Sequence, residues 1–297
     1  MSQKAPWRRS RRLKGMGYAA PVAVFVALFF VAPLLLVGQM SVRDWPLLRG
    51  DQGSNFPDNY TAIADNPLFW PAVGFTLKYT AIVVVALLAL SLLMALIVQE
   101  SRPGTGFYRT VYFLPATLGL ASASLLFWGF YSPSIGPVNT ILTGLGLIDE
   151  PISFTGSPGA ALTSTVVLIV WKFAGFFMLI LLVGLQAIPP EVYEAARMDG
   201  ANRRQVFTRI TLPLLRPSLG LVLILSVTGS LLAFDQFFIL TKGGPDNSTV
   251  TVVQLIYREA FQRLDLGTAA AMSAVVLLVL LVLNIGQFRL LRRDRDG

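Results

Sequence analysis

The chain has 297 residues, of which 54% are hydrophobic and 13% charged, with a formal net charge of +8. A soluble fold of this size carries about a quarter of its residues charged to cover its surface, so the apolar excess has to face lipid. With no Cys and no His, the chain cannot form disulfides, thiolate nucleophiles, Cys- or His-built zinc sites, His-ligated haem or imidazole acid–base catalysts.

Residues 1–16 form a basic tail holding Lys4, Arg8, Arg9, Arg11, Arg12 and Lys14 without a single acid, a composition suited to anionic lipid. The first apolar segment, Gly17–Val37, is longer than the 7–15 residue core of a signal peptide and lacks a small-x-small cleavage site. It is expected to be a retained helix. Five further segments follow: Ala72–Val98, Tyr112–Phe130, Ala160–Leu185, Ser218–Leu240 and Thr268–Leu290. Each approaches or exceeds the roughly 20 residues needed to cross the hydrocarbon. Their apolar runs are continuous rather than alternating, which predicts helices and not barrel strands. The expected fold is therefore an all-α integral membrane protein of six transmembrane helices. Its membrane domain spans 17–290, between the basic tails 1–16 and 291–297.

Lys and Arg set the orientation. They concentrate in the amino-terminal tail, at Arg102 and Arg109, at Arg197, Arg203, Arg204, Arg209 and Arg216, and at Arg289, Arg292, Arg293 and Arg295. The alternate loops hold only Arg43, Arg49, Lys242, Arg258 and Arg263, together with nine acids from Asp44 through Asp265. The positive-inside rule then puts both termini in the cytoplasm, as an even number of spans also requires. The basic excess is an orientation signal; a nucleic-acid reading would need a folded basic domain with interleaved aromatics, which the sequence lacks.

The loop over 186–217, between the fourth and fifth segments, is the most informative stretch. Pro189 or Pro190 suits the first turn of a helix, with Glu191 and Glu194 near the positive end of its dipole. Gly200 is placed to stop that helix in the left-handed conformation. Asn202 can cap a second helix that Pro213 ends. Val192, Ala195 and Ala196 line one face of the first helix, and Val206, Phe207 and Ile210 line a face of the second. Taken alone, this is also what an amphipathic loop lying on a membrane looks like.

The spacing in this loop is more specific. Glu194-Ala195-Ala196, three residues, Gly200, nine residues, then Ile210-x-Leu212-Pro213 resembles the loop signature of the permease subunits of ATP-binding-cassette importers at every position. The resemblance runs from about Tyr60 to Gln287. Trp171-Lys172 with Gly184-Leu185-Gln186, Phe234-Asp235 with Thr241 to Pro245, Ile256-Tyr257 with Ala260-Phe261, and the stretch beginning at Gly267 are similar to the carbohydrate-uptake, maltose-type branch. The chain departs from the maltose subunit in lacking a large inserted domain and additional amino-terminal spans. The resemblance implies a type I importer permease fold. It also implies a second related permease, two ATPase subunits that carry ATP and Mg2+, and an extracytoplasmic binding protein that delivers a sugar. The implied location is a bacterial or archaeal cytoplasmic membrane. Under it, Glu194, Ala195, Ala196, Asp199, Gly200, Ile210, Leu212 and Pro213 form the ATPase-coupling site, with Glu194 docking by charge and Gly200 setting the bend. The chain itself contains no G-x-x-x-x-G-K-[ST] phosphate loop; Gly104-Thr-Gly106 lacks the lysine. It is expected to be a transport subunit without catalysis of its own.

Ionisable residues inside spans are candidate functional groups. Lys78 sits close enough to a helix end to snorkel to the interface. Lys172 and Asp235 lie where either packing or substrate contact would explain them. Aromatic faces suit sugar rings, with polar neighbours reading hydroxyls, which makes Trp128, Trp171, Phe234 and Gln236 further candidates for the substrate path. Interfacial belts account for such aromatics as well. A permease for a non-sugar solute such as glycerol phosphate or an amino acid is the alternative within the class. A secondary transporter would show inverted repeats or broken helices at the midplane.

Overall fold

The computed structural model describes residues 18–100 and 103–293, with side chains through 290. The amino-terminal basic cluster, Arg102 and the carboxyl-terminal arginines beyond Leu291 fall outside the residues whose side chains are described. Helices make up the described chain; its strand-like features are two isolated bridges, Arg43 with Ser54 and Pro46 with Asp265.

In chain order the helices are α1 (Tyr18–Met40), α2 (Asp58–Asp65), α3 (Phe69–Val98), α4 (Thr105–Thr117) and α5 (Leu120–Phe130). There follow α6 (Pro137–Gly144), α7 (Pro158–Gln186), α8 (Pro190–Met198), α9 (Arg203–Leu214) and α10 (Arg216–Leu231). The last two are α11 (Val252–Tyr257) and α12 (Leu266–Arg293). Four of them, α1, α3, α7 and α12, are long and apolar enough to cross a membrane. The bent pairs α4–α5 and α9–α10 raise the number of candidate spans to as many as six.

The chain divides into two compact units. One holds the described part of Met1–Asp65 with Ile256–Leu277. In it, the loop after α1 is tied down by Asn59 of α2. The Asn59 amide donates to the carbonyls of Ser41 (3.0 Å) and Arg43 (2.8 Å) and accepts from Asn55 (2.8 Å). The backbone of Leu47 donates to Leu264 and that of Leu266 to Trp45, which seats this loop on the start of α12. Gly267 is needed there, because a Cβ would lie 2.6 Å from the Arg43 carbonyl.

The other unit holds Asn66–Leu255 with the end of α12, and α7 is its axis. Half of the apolar window of α7 is buried, against none of α1. On α3, Tyr79, Val83, Leu87, Ser91 and Ala95 recur every four residues and are all buried. Tyr79, Val83, Leu87 and Ala95 of that i, i+4 stripe pack in one cluster with Leu168, Met178 and Leu181 of α7 and Val222 of α10. Lipid tails are as apolar as leucine, so such packing is held by close contact rather than by exclusion of water. Small residues mark the tightest crossings. A Cβ on Gly175 of α7 would overlap the Tyr112 carbonyl of α4, and one on Gly184 would overlap the Ser218 hydroxyl of α10. The Thr76 and Thr165 hydroxyls donate to carbonyls of their own helices, those of Ala72 and Ala161.

Two of the predicted continuous segments are interrupted. The third, expected over Tyr112–Phe130, bends by 96° between α4 and α5. Pro115 lies in a tight 3₁₀ turn, and Leu118 and Gly119 are extended. The fifth, expected over Ser218–Leu240, stops at Leu231 and resumes as a π-helical turn over Phe237–Thr241. The opened backbone is partnered from a distance: the Thr251 hydroxyl donates to the Ala233 carbonyl at 2.8 Å. Pro213 does not end the helix before α10, as its position in the sequence suggested. It lies inside α9 just after a π-helical turn over Phe207–Thr211. The 64° bend comes at Leu215 and Arg216, next to Pro217, whose missing N–H weakens the turn.

Candidate functional site

The α8–α9 loop is built from local capping chemistry. Pro189 is extended and Pro190 opens α8, with Glu191 in its first turn and Arg197 in its last, each on the favourable end of the helix dipole. The helix closes in a Schellman arrangement. Ala201 donates to the Ala196 carbonyl and Gly200 to that of Arg197, both at 3.0 Å, with Gly200 at φ +73°. Two residues on, Asn202 and Gln205 form a reciprocal capping box, at 2.9 and 2.8 Å, that starts α9. The Tyr193 hydroxyl meets the Thr211 hydroxyl at 3.4 Å and joins the two helices. Caps at both ends of a four-residue connection make the pair a stiff unit.

The signature residues separate into two groups. Glu194, Ala195, Asp199 and Gly200 are exposed, and so is Met198 at the tip, 89% accessible. Ala196 is buried, and Ile210, Leu212 and Pro213 are half-buried. Ala195 and Ala196, expected to share a face, therefore do different jobs: Ala195 leaves the surface smooth and Ala196 lets α8 lie against its own protein. Between α8, α9 and the ends of α3 and α7 lies a polar cleft of about 820 Å³ bordered by Glu100, Glu194, Arg197 and Arg203.

A second cavity, of about 250 Å³, sits between α3, α7 and the unwound end of α10. Its wall is aromatic on three sides, with Tyr79, Phe173 and Phe177, and Phe234; its polar lining comes from Ser226, Ser230, Asp235 and Gln236. Because α10 stops at Leu231, Phe234, Asp235 and Gln236 reach this cavity from non-helical backbone and the first residues of the next turn. Non-helical backbone at membrane depth is tolerated where it lines a cavity. The Gln236 amide donates to the Tyr79 hydroxyl at 3.1 Å, and Phe237 packs edge-on against Tyr79 at 4.8 Å. The Gln236 side-chain oxygen is buried and has no partner among the described residues.

Three of the six substrate-path candidates thus meet here: Phe234, Asp235 and Gln236. The other three do not. Trp128 is 57% exposed on α5, and Trp171 packs on Phe127 at 5.1 Å. Lys172 is buried, and its ammonium donates to the backbone carbonyls of Ala116 and Leu118 and lies 5.0 Å from the Phe173 ring. Lys78 is exposed, as snorkelling requires. Sequence reasoning missed Tyr79, Phe177, Ser226 and Ser230. A tyrosine within the apolar run of α3 was the one available signal, because a buried phenol needs a partner. Among the described residues no cluster of acids is suited to a metal ion.

Residues 88–295 match the family described as the inner membrane component of binding-protein-dependent transport systems. The chain is 33% identical over 282 residues to the sulfoquinovosyl glycerol transport system permease protein of Agrobacterium fabrum, covering 95% of this chain and 91% of that one. It is 30% identical over 273 residues to the multiple sugar-binding transport system permease protein of Streptococcus mutans, covering 91% and 92%. A crystal structure of a bacterial alginate ABC transporter in complex with an alginate pentasaccharide-bound periplasmic protein contains a chain with the same fold, with a TM-score of 0.85, 24% identity and 97% of both chains covered. The chain belongs to the binding-protein-dependent transport system inner membrane component family, and is a multi-pass transport permease subunit rather than an enzyme.

Proposed function

We propose that this chain is one of two permease subunits of a sugar importer in a bacterial or archaeal cytoplasmic membrane. The observation that carries the reading is the α8–α9 loop. A signature matched at every position is folded as a doubly capped helix pair, with Glu194, Ala195, Asp199 and Gly200 on its outer surface. A stiff helix pair transmits a displacement that a flexible loop would absorb. The loop 186–217 docks on one ATPase subunit of a pair, and ATP and Mg2+ bind there and not on this chain. The bent pairs α4–α5 and α9–α10 each count as one span. This makes six, puts both termini in the cytoplasm by the charge asymmetry of the loops, and leaves 1–16 and 291–297 as tails outside the membrane domain. A second, related permease completes the path, and an extracytoplasmic binding protein delivers the sugar. The names of the relatives support a saccharide as cargo, and the aromatic cavity supplies faces suited to sugar rings.

The test is to purify the tagged chain from its host in mild detergent, identify what accompanies it, and measure sugar uptake after reconstitution with the binding protein. Recovery of one second permease and two ATPase subunits per copy, with ATP-dependent uptake of a sugar, is the expected result. A stable assembly without an ATPase would remove the importer reading.

A further inference from the structure

Of the polar groups that line this cavity, Asp235 carries the charge, while Ser226, Ser230 and Gln236 are neutral. No Lys or Arg lines the cavity. Lys172, adjacent to the lining residue Phe173, has its ammonium committed to the carbonyls of Ala116 and Leu118. Among the described residues no hydrogen bond or ion pair neutralises the Asp235 carboxylate. The remaining wall is aromatic and aliphatic apart from the hydroxyls of Ser226 and Ser230. Such a surface satisfies a ligand that brings hydroxyl donors and C–H faces. It repels a ligand that brings a negative charge, since the Asp235 carboxylate has the same sign.

We propose that Asp235 makes this cavity a charge filter, which accepts uncharged saccharides and turns away uronates and other anionic sugars. The proposal rests on the reading of the chain as a sugar permease and adds the class of sugar. Asp235 sets the sign of the selection. The volume of about 250 Å³ lies below the roughly 300–1,000 Å³ of drug-sized sites and suits one sugar ring at a time.

The experiment uses the complete transporter in lipid nanodiscs without its binding protein, so that only the membrane path selects. Methyl β-glucoside and methyl β-glucuronide, which differ by a hydroxymethyl against a carboxylate, are compared by saturation-transfer-difference NMR. The glucoside should bind at least roughly tenfold more tightly than the glucuronide. Asp235→Asn should shrink that ratio towards one, and Asp235→Glu, which keeps the charge, should preserve it. Equal binding of the two glycosides by the native protein would overturn the filter, as would a ratio unchanged in Asp235→Asn. Failure of both glycosides to bind overturns it as well. If sugar uptake is then intact, the cavity is not where the sugar is read; if uptake is also absent, the sugar-permease reading falls with it.

Discussion

The ammonium of Lys172, in the middle of α7, donates to the backbone carbonyl of Leu118 at the break between α4 and α5. The same nitrogen reaches the Ala116 carbonyl at 3.4 Å. Each side of this contact would be unfavourable alone. A 96° bend leaves carbonyls without helical donors, and a lysine 3% exposed inside a membrane helix leaves a cation without water. Together they compensate, with the carbonyl end of α4 presenting the negative pole of its dipole to the cation.

Lys172→Met should therefore lower stability without changing what is transported. Each buried carbonyl left unpaired costs about 1–3 kcal/mol, while removal of the buried charge offsets part of that. The thermal unfolding midpoint of the purified protein in detergent should fall, and Lys172→Arg should recover part of the loss. If Lys172→Met unfolds at the native temperature yet shows altered sugar affinity, the lysine contacts cargo and the assignment to the helix break is wrong.

A similar close contact makes Gly175 irreplaceable. Its Cβ position is occupied by the Tyr112 carbonyl, a backbone atom that cannot move without shifting α4. Gly175→Leu should separate α4 from α7 at a cost above the roughly 1–3 kcal/mol typical of overpacking, and folded protein should be lost from the membrane fraction. Gly74, with nothing within 4 Å of its Cβ position, is the matched control. Gly74→Ala should accumulate normally. Equal yields of the two variants would mean that α4 and α7 do not meet at Gly175.

These contacts also mark how far the sequence alone could be read. Segments of twenty apolar residues announce α1, α3, α7 and α12 because span length is a local property. Gly200 and Asn202 announce the ends of α8 and α9 for the same reason, since capping acts within three or four residues. The breaks at Leu118 and at 232–234 are not local. Their carbonyls are taken by Lys172 and Thr251, from elsewhere in the chain, and nothing in an apolar run reveals a distant donor. The cavity was half legible. Phe234, Asp235 and Gln236 stand out as aromatic and polar residues near a span end, whereas Phe173 and Phe177 look like any lipid-facing or core phenylalanine. Trp128 stands out in the same way, but it is mostly exposed and lies outside this cavity.

Gly200 offers the sharpest test of the proposed coupling. At φ +73° a β-branched residue pays a steric penalty of about 1–2 kcal/mol, enough to undo the Schellman closure and change the angle between α8 and α9. No atom lies within 4 Å of the Cβ position, so the effect comes from backbone strain and not from collision. Gly200→Val and Gly200→Glu should leave the protein folded in the membrane while abolishing transport. Gly200→Asn, which tolerates the left-handed region, should retain part of it. Normal uptake by Gly200→Glu would sink the coupling role of the loop.

The hydrogen bond from Gln236 to Tyr79 gives a last, separable prediction. Tyr79 is 1% exposed and Gln236 2%, so neither can exchange its partner for bulk water. Tyr79→Phe keeps the ring and its edge-on contact with Phe237 but removes the acceptor for the Gln236 amide. The free amide should cost about 1–3 kcal/mol of stability. It should also let the side chain of this cavity-lining residue rotate. Uptake measured against sugar concentration should then show a raised KM with a smaller change in maximal rate, because what is lost is orientation of a contact and not the coupled motion. Gln236→Leu should raise KM at least as far, and the double variant should be little worse than the single ones, as expected for two residues acting through one hydrogen bond. Strictly additive effects would show instead that Tyr79 and Gln236 serve the cavity independently.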